Sequence, residues 1–382
     1  MAWNCLFNHL DAEQRGVLDQ LLKATEPQWV RGFAGSGKSV ILIHALGQLL
    51  AIKPNATACI VTFTHSLKDM LETGRTENAR HIRVMTYFEF QKNPFLCDYI
   101  LVDEVQDLPS ATLQILRQYA GVLLVAGDEE QSIFEDRVSP ADIQQIVQPQ
   151  IHSLAVVYRL TEKLKKVVAS ILPGSKVHSA RSGRLQANVS ITLAKADNQE
   201  AEVAWVWNEA KRFTQTGDPV AILIPKHDLI QTFITGVCRQ QGIAPPEIPK
   251  NQYKKPDYGV ANDYFSRNGV ELRYLGNGYG NLNEGDHGRI IYLITYHSAK
   301  GLDFETVFLP GLDESLSIAN DEPMARRLFY VAATRSRRTL NMSYSSHRPH
   351  PLVQGLPKDL VEEIHIRSRP QGGQESEDID LF

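Results

Sequence analysis

The stretch Gly32–Ser39 reads GFAGSGKS and fits the pattern G-x-x-x-x-G-K-[ST] in full. A strand-like run, Gln28–Arg31, precedes it and a helical pattern, Ser39–Leu50, follows. That context gives the pattern its meaning, because a strand–turn–helix unit aims backbone N–H groups and a helix N-terminus at one point. Gly35, Ser36 and Gly37 are read as a phosphate cradle and Lys38 as the cation for the β- and γ-phosphates. The Ser39 hydroxyl is read as a Mg²⁺ ligand. A second stretch, Leu101–Asp107 (LVDEVQD), ends an apolar strand in adjacent carboxylates. Asp103 is placed to hold Mg²⁺ through water, and Glu104 to orient and deprotonate an attacking water. An acidic pair after a strand is usually a solvated loop, but behind a phosphate loop the pair implies a nucleoside-triphosphate hydrolase.

Outward from these motifs, Ala58–Phe63, Tyr99–Val102 and Val122–Ala126 are short, fully apolar runs, as strands buried on both faces of a parallel sheet require. Helical patterns such as Leu113–Tyr119 alternate with them, which predicts βαβ units. A second set follows Pro149, with strand candidates Val220–Ile224, Arg289–Ile294 and Thr306–Leu309 and helix candidates Gln199–Phe213 and Arg326–Thr334. The fold class is α/β, with two tandem lobes, each a mostly parallel sheet flanked by helices. The expected boundaries are 1–155 and 156–366, with a Pro/Gly/Asn/Tyr-rich insertion over Gly242–Gly288 holding one hairpin, and a disordered acidic tail over 367–382.

The 382 residues carry a net charge of −4, which argues against coating duplex DNA by charge alone and leaves room for a local basic groove. Cys5, Cys59, Cys97 and Cys238 show no ligand-like spacing and read as free thiols of a reducing compartment. No run approaches the roughly 18–20 apolar residues of a membrane span, and the N-terminus lacks a signal-peptide layout. A cytoplasmic protein without membrane contact is expected.

Seven motifs in order narrow the class of hydrolase: Leu10–Arg15 (LDAEQR), Thr62–His65 (TFTH), Asp103–Asp107 (DEVQD), Gly127–Ile133 (GDEEQSI), Tyr158–Arg159, Thr295–Phe304 (TYHSAKGLDF) and Arg327–Arg335 (RLFYVAATR). Their order, spacing and wording resemble superfamily 1 helicases of the UvrD/Rep/PcrA family, from Leu10 to about Arg338. The resemblance implies RecA-like lobes that clamp ATP and step along single-stranded DNA with 3′ to 5′ polarity. It implies that Gln14 bonds the adenine edge, Tyr158 stacks near the base and Gln131 senses the γ-phosphate. Arg159 and Arg335 would be arginine fingers from the second lobe, acting with Glu104 in catalysis. An arginine supplied across a cleft neutralises charge in phosphoryl transfer only when the lobes close. Thr62, Phe63, Thr64, His65, Thr86, Thr295 and His297 match the family's nucleic-acid contacts, with RNA left open as an alternative strand.

Departures from the family pattern bear on function. Asp136 stands where the family has a base-stacking Trp, and Asp303 where it has Glu in KGLEF. Only Gln91–Asp98 separates TYFEF from the strand before DEVQD, so the first large accessory insertion is missing and the second is reduced. Aromatics and bases interleave in the remnant, although a packed loop is its ordinary state. The chain ends SEDIDLF, and Leu381 and Phe382 resemble the tip of peptides that dock on a sliding clamp or, more loosely, of single-strand-binding proteins; a frayed terminus is the bland alternative. Two other roles stay open at this point: an ATPase subunit regulating a partner nuclease, and a nucleotide-switched DNA-binding module that does not unwind.

Overall fold

The computed structural model describes residues 7–133, 137–183, 189–282 and 289–368. Asp136, Leu381 and Phe382 lie outside the described residues. Among the described residues no helix is long and apolar enough to cross a membrane.

The first sheet is built from β1 (Gln28–Gly32), β2 (Ala58–Thr62), β3 (Arg83–Thr86), β4 (Cys97–Val102), β5 (Ala120–Gly127) and β6 (Gln150–Leu154), in the spatial order β3-β2-β4-β5-β1-β6. A two-stranded connector, β7 (Val156–Val157) with β8 (Arg181–Ser182), leads to the second sheet. That sheet comprises β9 (Ser190–Ala196), β10 (Val220–Ile224), β11 (Leu272–Tyr274), β12 (Ile291–Thr295), β13 (Phe304–Leu309), β14 (Ser336–Tyr344) and β15 (Glu362–Ile366). Its order is β11-β12-β10-β13-β14-β9-β15, and every strand pair of both sheets is parallel. The central strands are apolar throughout because helices cover both faces: β10 and β12 are buried at every residue.

Apart from β11, the second sheet repeats the first. Ranked by chain order, both read third-second-fourth-fifth-first-sixth. The insertion supplies the exception. Its described residues fold into a helix, Tyr258–Arg267, and the parallel edge strand β11, with antiparallel pairing reduced to the isolated bridges Lys250–Pro256 and Gly276–Tyr279. Tyr258, Ala261 and Phe265 of that helix are buried in a core with Trp207 and Phe308, so burial of large apolar side chains anchors the segment.

The two sheets meet through buried charges. Lys300, in the turn after β12, places its ammonium 2.7–2.8 Å from the Asp107 carboxylate of the first lobe, 3.9 Å from Glu104, and on the Gln131 carbonyl. The connector leans on the first lobe as well: the Tyr158 amide donates to the Gly35 carbonyl at 2.9 Å, the Lys176 amide to Glu130 at 2.6 Å, and Arg181 pairs with Glu13 at 3.3 Å. Arg326 then donates to the Ile171 carbonyl at 3.0 Å, tying the second lobe to the connector.

Lys300 and Asp107 are each 2% exposed at the side chain, so removing one partner strands the other in a water-poor site. Lys300→Met is expected to lower unfolding free energy by about 3–5 kcal/mol in urea titrations. The double variant Lys300→Met/Asp107→Asn is expected to recover much of that loss, and a purely additive double variant would show that the two charges do not act as a pair.

Candidate functional site: the interlobe cleft

Between β1 and the helix Lys38–Ile52, Gly35 and Gly37 have φ of +74° and +88°, a conformation that favours residues without Cβ. Space demands it too. A Cβ on Gly35 would lie 2.5 Å from Cβ of Arg159, and one on Gly37 would lie 2.5 Å from the Gln14 amide nitrogen. The Ser36 hydroxyl is buried without a hydrogen-bond partner inside this loop. Lys38 folds back to donate to the Gly32 and Phe33 carbonyls at 2.8 and 3.0 Å. Ser39 Oγ donates to Asp103 Oδ2 at 2.5 Å, joining the loop to the end of β4. An alcohol and a carboxylate held together in this way are the hard oxygen donors that Mg²⁺ prefers.

Glu104, one residue past Asp103, sits at φ 55°, ψ 47°, a left-handed conformation rare for a side-chain-bearing residue and concentrated at functional sites. Its carboxylate accepts from Gln106 Nε2 at 2.5 Å. Burial opposes its ionisation, but Lys300, Lys38, the Gln106 amide and Arg335 outweigh burial and hold its pKa below the usual carboxylate value. Asp103 goes the other way: burial and then the Glu104 charge push it up to about 6, against the pull of Ser39 and Lys38. Asp107 is raised to about 7, by burial first, with Lys300 opposing. Neighbouring carboxylates in one environment are thus driven apart, with Glu104 the most acidic of the three.

The far wall carries arginines. Arg335, at the end of the helix Glu322–Ala333, is 1% exposed and donates to Gln131 Oε1 at 2.8 Å, to the Leu302 carbonyl at 3.0 Å and to the Val331 carbonyl at 2.8 Å. Burial and the adjacent Arg159 charge push its pKa down. Gln131 is fixed from both sides, since its amide also donates to Asp128 at 2.7 Å. Arg159 lies over Gly35 on the connector and pairs with Asp303 at 3.4 Å. Asp303 also receives Arg337 at 2.7 and 2.9 Å. Burial opposes charge on Asp303, but Arg159 and Arg337 hold its pKa below the ordinary carboxylate value. Gln14 donates to the Ser36 carbonyl at 3.2 Å, and the Tyr158 hydroxyl donates to Asp11.

These side chains border one cleft of about 560 Å³. It gathers Gln14, the loop around Gly35 and Gly37, Lys38, Ser39, Glu104, Gln131, Tyr158, Arg159 and Arg335. Asp103 stands just beneath the lining, bonded to Ser39. Sequence reading missed Lys300, Asp107 and Asp128, which bond the cleft residues from behind, and Arg337, which lines the cleft. The first three fall inside motifs already quoted, but nothing in the letters said that Lys300 crosses to the first lobe.

The expected nucleic-acid contacts fall at the ends of β2, β3 and β12. Thr62 is fully buried and Thr86 is 4% exposed. Thr64 and Thr86 cap the helices His65–Thr73 and Tyr87–Lys92, accepting from the Leu67 and Glu89 amides, and Thr295 accepts from the Ser298 amide at 3.1 Å. Four threonines read as strand contacts are therefore either buried or occupied as caps. The rings are more available: Phe63 stacks on Tyr87 with centroids 5.1 Å apart and planes 3° apart, Arg137 lies 5.0 Å from the Phe63 centroid, His65 is exposed and His297 half-buried.

Comparison with known proteins agrees with this layout. Residues 28–204 match the viral superfamily 1 RNA helicase core domain, and residues 275–347 match the UvrD-like helicase C-terminal domain. DNA helicase II of Escherichia coli (strain K12) is 36% identical over 104 residues, 22% of this chain and 14% of that protein. ATP-dependent DNA helicase PcrA of Staphylococcus epidermidis is 30% identical over 119 residues, 24% of this chain and 16% of that protein. The chain therefore matches only about a seventh of the length of these relatives. A solved C-terminal domain of a possible DNA helicase from Lactobacillus plantarum WCFS1 aligns with 54% of this chain and 98% of its own length, at 16% identity and a TM-score of 0.35. The two family matches and the similarity to these relatives support a UvrD-like superfamily 1 helicase.

Proposed function

We propose that this chain hydrolyses ATP in the interlobe cleft and uses lobe movement to translocate on single-stranded DNA in the 3′ to 5′ direction. The observation that carries the reading is the Arg335–Gln131 bond at 2.8 Å, which puts a second-lobe guanidinium against the first-lobe residue beside Glu104 and Lys38. Arg335 would neutralise charge on the γ-phosphoryl group, Gln131 would position water, and Glu104, held ionised, would take its proton. Lys38 would leave the Gly32 and Phe33 carbonyls for the β- and γ-phosphates, and Gln14 and Tyr158 would meet the base. Ser39 and Asp103 would hold Mg²⁺, whose charge polarises the phosphates.

Arg159 and Asp303 add a second cross-cleft element. The arginine finger expected from the second lobe stands on the connector, already packed over Gly35. The shorter carboxylate at Asp303 is engaged by two arginines and contributes to closure in place of a sugar contact. Strand contact is assigned to Phe63, Thr64, His65 and His297, with Thr62, Thr86 and Thr295 shaping the turns that present them. The Leu381–Phe382 terminus is proposed as a docking segment for a replication clamp.

Lys38→Ala is expected to abolish ATP turnover; normal turnover would remove the phosphate-site assignment. Arg335→Ala is expected to cut hydrolysis on the order of a thousandfold while leaving nucleotide binding nearly intact. Equal losses in rate and affinity would make Arg335 structural. Steady-state ATPase is expected to rise with single-stranded DNA, with strand displacement on a 3′-overhang substrate; stimulation without displacement would indicate a translocase that needs a partner to unwind.

A further inference from the structure

Tyr330, on the helix Glu322–Ala333 that leads to Arg335, is 0% exposed. Its hydroxyl is buried without a hydrogen-bond partner among the described residues. A buried donor without an acceptor costs free energy, and such a group in a folded protein calls for an explanation. The helix packs against the turn Glu129–Gln131 of the first lobe. Burial, and after it the Asp128 and Glu130 charges, hold the phenol pKa well above its ordinary value, while Arg335 and Arg159 act the other way. The hydroxyl therefore stays a donor, close to two carboxylates and bonded to neither.

Both carboxylates are already occupied. Asp128, 6% exposed, accepts from Gln131 Nε2 on Oδ2 at 2.7 Å and from the Glu130 amide on Oδ1 at 3.1 Å. Glu130 holds the connector, with Oε1 on the Lys176 amide at 2.6 Å and Oε2 on the Ser175 hydroxyl. Gln131 Oε1 in turn accepts from Arg335 Nη2 at 2.8 Å. With both ends of its amide engaged, Gln131 cannot also orient a water at a γ-phosphate. Hydrolysis requires the amide to turn, with Arg335 going to the phosphate and Gln131 letting go of Asp128. That movement leaves a buried carboxylate oxygen short of a donor beside a phenol short of an acceptor. One bond satisfies both.

We infer that Tyr330 is a positioning residue for hydrolysis, its hydroxyl replacing the Gln131 amide on Asp128 when that amide turns toward the nucleotide. This rests on the reading of the cleft as a site of ATP hydrolysis in which Gln131 places the water. The exchange keeps Asp128 supplied with a donor as Gln131 leaves, so the hydrolytic arrangement is reached at lower cost. The phenol keeps its proton throughout and only changes partner. Tyr330 touches neither nucleotide nor water and acts through Asp128 and Gln131. Phenylalanine at this position keeps the ring and its packing and removes only the hydroxyl.

The test compares the full chain with its Tyr330→Phe variant in steady-state ATPase assays with oligothymidylate present, and in urea unfolding. Tyr330→Phe is expected to cut kcat on the order of ten- to a hundredfold, with KM for ATP within about twofold and the unfolding midpoint unchanged or higher. In the Gln131→Ala background Asp128 lacks its amide donor at all times and takes the phenol instead. There Tyr330→Phe is expected to lower the unfolding midpoint and to leave the residual kcat unchanged. Unaltered kcat in the single variant would overturn the inference while leaving the ATP site standing. A midpoint that falls equally in both backgrounds would also reject it, because the hydroxyl would then be a structural group of the resting protein. An equal loss of kcat in both backgrounds would count against it too, since the phenol would be acting independently of Gln131. Absence of ATP turnover in the wild-type protein would overturn the hydrolysis reading and this inference together.

Discussion

An ammonium group withdrawn from water must find carboxylates, and Lys300 finds them only across the lobe boundary. Its neighbours Asp107 and Glu104 belong to the turn after β4, and the Gln131 carbonyl to the turn after β5. Each lobe alone would leave charge buried and uncompensated: two carboxylates on one side, one ammonium on the other. Such a pair is weak evidence for net stability, because desolvation consumes much of the attraction. Its geometric effect is firmer. It fixes the turn Thr295–Lys300 against the first lobe, with Gly301 packed on Leu67, Asp303 paired to Arg159 above Gly35, and Arg335 bonded to Gln131. The buried cluster at the base of the cleft and the Arg335–Gln131 bond above it align the two walls together.

Repetition of the same strand order raises the question of why only one lobe holds a phosphate loop. The counterpart of the β1-to-helix turn lies between β9 and the helix Gln199–Gln215, where only Asp197 and Asn198 intervene. Asn198 caps that helix by accepting from the Ala201 amide, and Asp197 accepts from the Ser368 amide and pairs with His365. An acidic, already capped helix start has neither the free N–H groups nor the positive potential that phosphate needs. The first lobe keeps both, with glycines at positive φ and no side-chain cap at the start of its helix. One fold thus yields a lobe that opens its first helix with an uncapped glycine loop and a lobe that opens it with a capped acidic turn, and a few residues at the first turn decide which.

Much of the fold was legible where burial on both faces makes a strand uniformly apolar. β2, β4, β5, β10, β12 and β13 were all visible as such runs. Strands at or beside sheet edges were not, because they mix polar residues with apolar ones: Arg83 in β3, Gln150 and Ser153 in β6, Glu362 and His365 in β15. The cleft was legible to the extent that its chemistry sits in contiguous motifs. Contacts spanning the lobes were not, since Lys300 to Asp107 joins residues far apart in sequence, and Arg159 sits over Gly35 only after the connector has turned back. The threonines mark a subtler limit. A hydroxyl at the end of a parallel strand reads as a phosphate contact, yet the same hydroxyl serves local backbone: Thr64 and Thr86 cap the following helices, and Thr295 closes a turn on the Ser298 amide.

The turn after β12 also joins the two faces of the molecule in the shortest way available. His297 and Lys300 are separated by two residues, with one beside His227 and the other in the charge cluster under the cleft. The turn is stiff: Ser298 and Thr295 bond each other, the Ala299 amide donates to the Thr295 carbonyl, and Tyr296 is fully buried. β11 adds to that stiffness by pairing with β12 along the edge that would otherwise be free, Leu272 to Tyr274 against Ile291 to Leu293. The turn thus holds His297 and Lys300 in one fixed relation, the first at the end of β12 and the second in the charge cluster under the cleft. The helix Tyr258–Arg267 and β11 thus brace this one turn from the sheet edge.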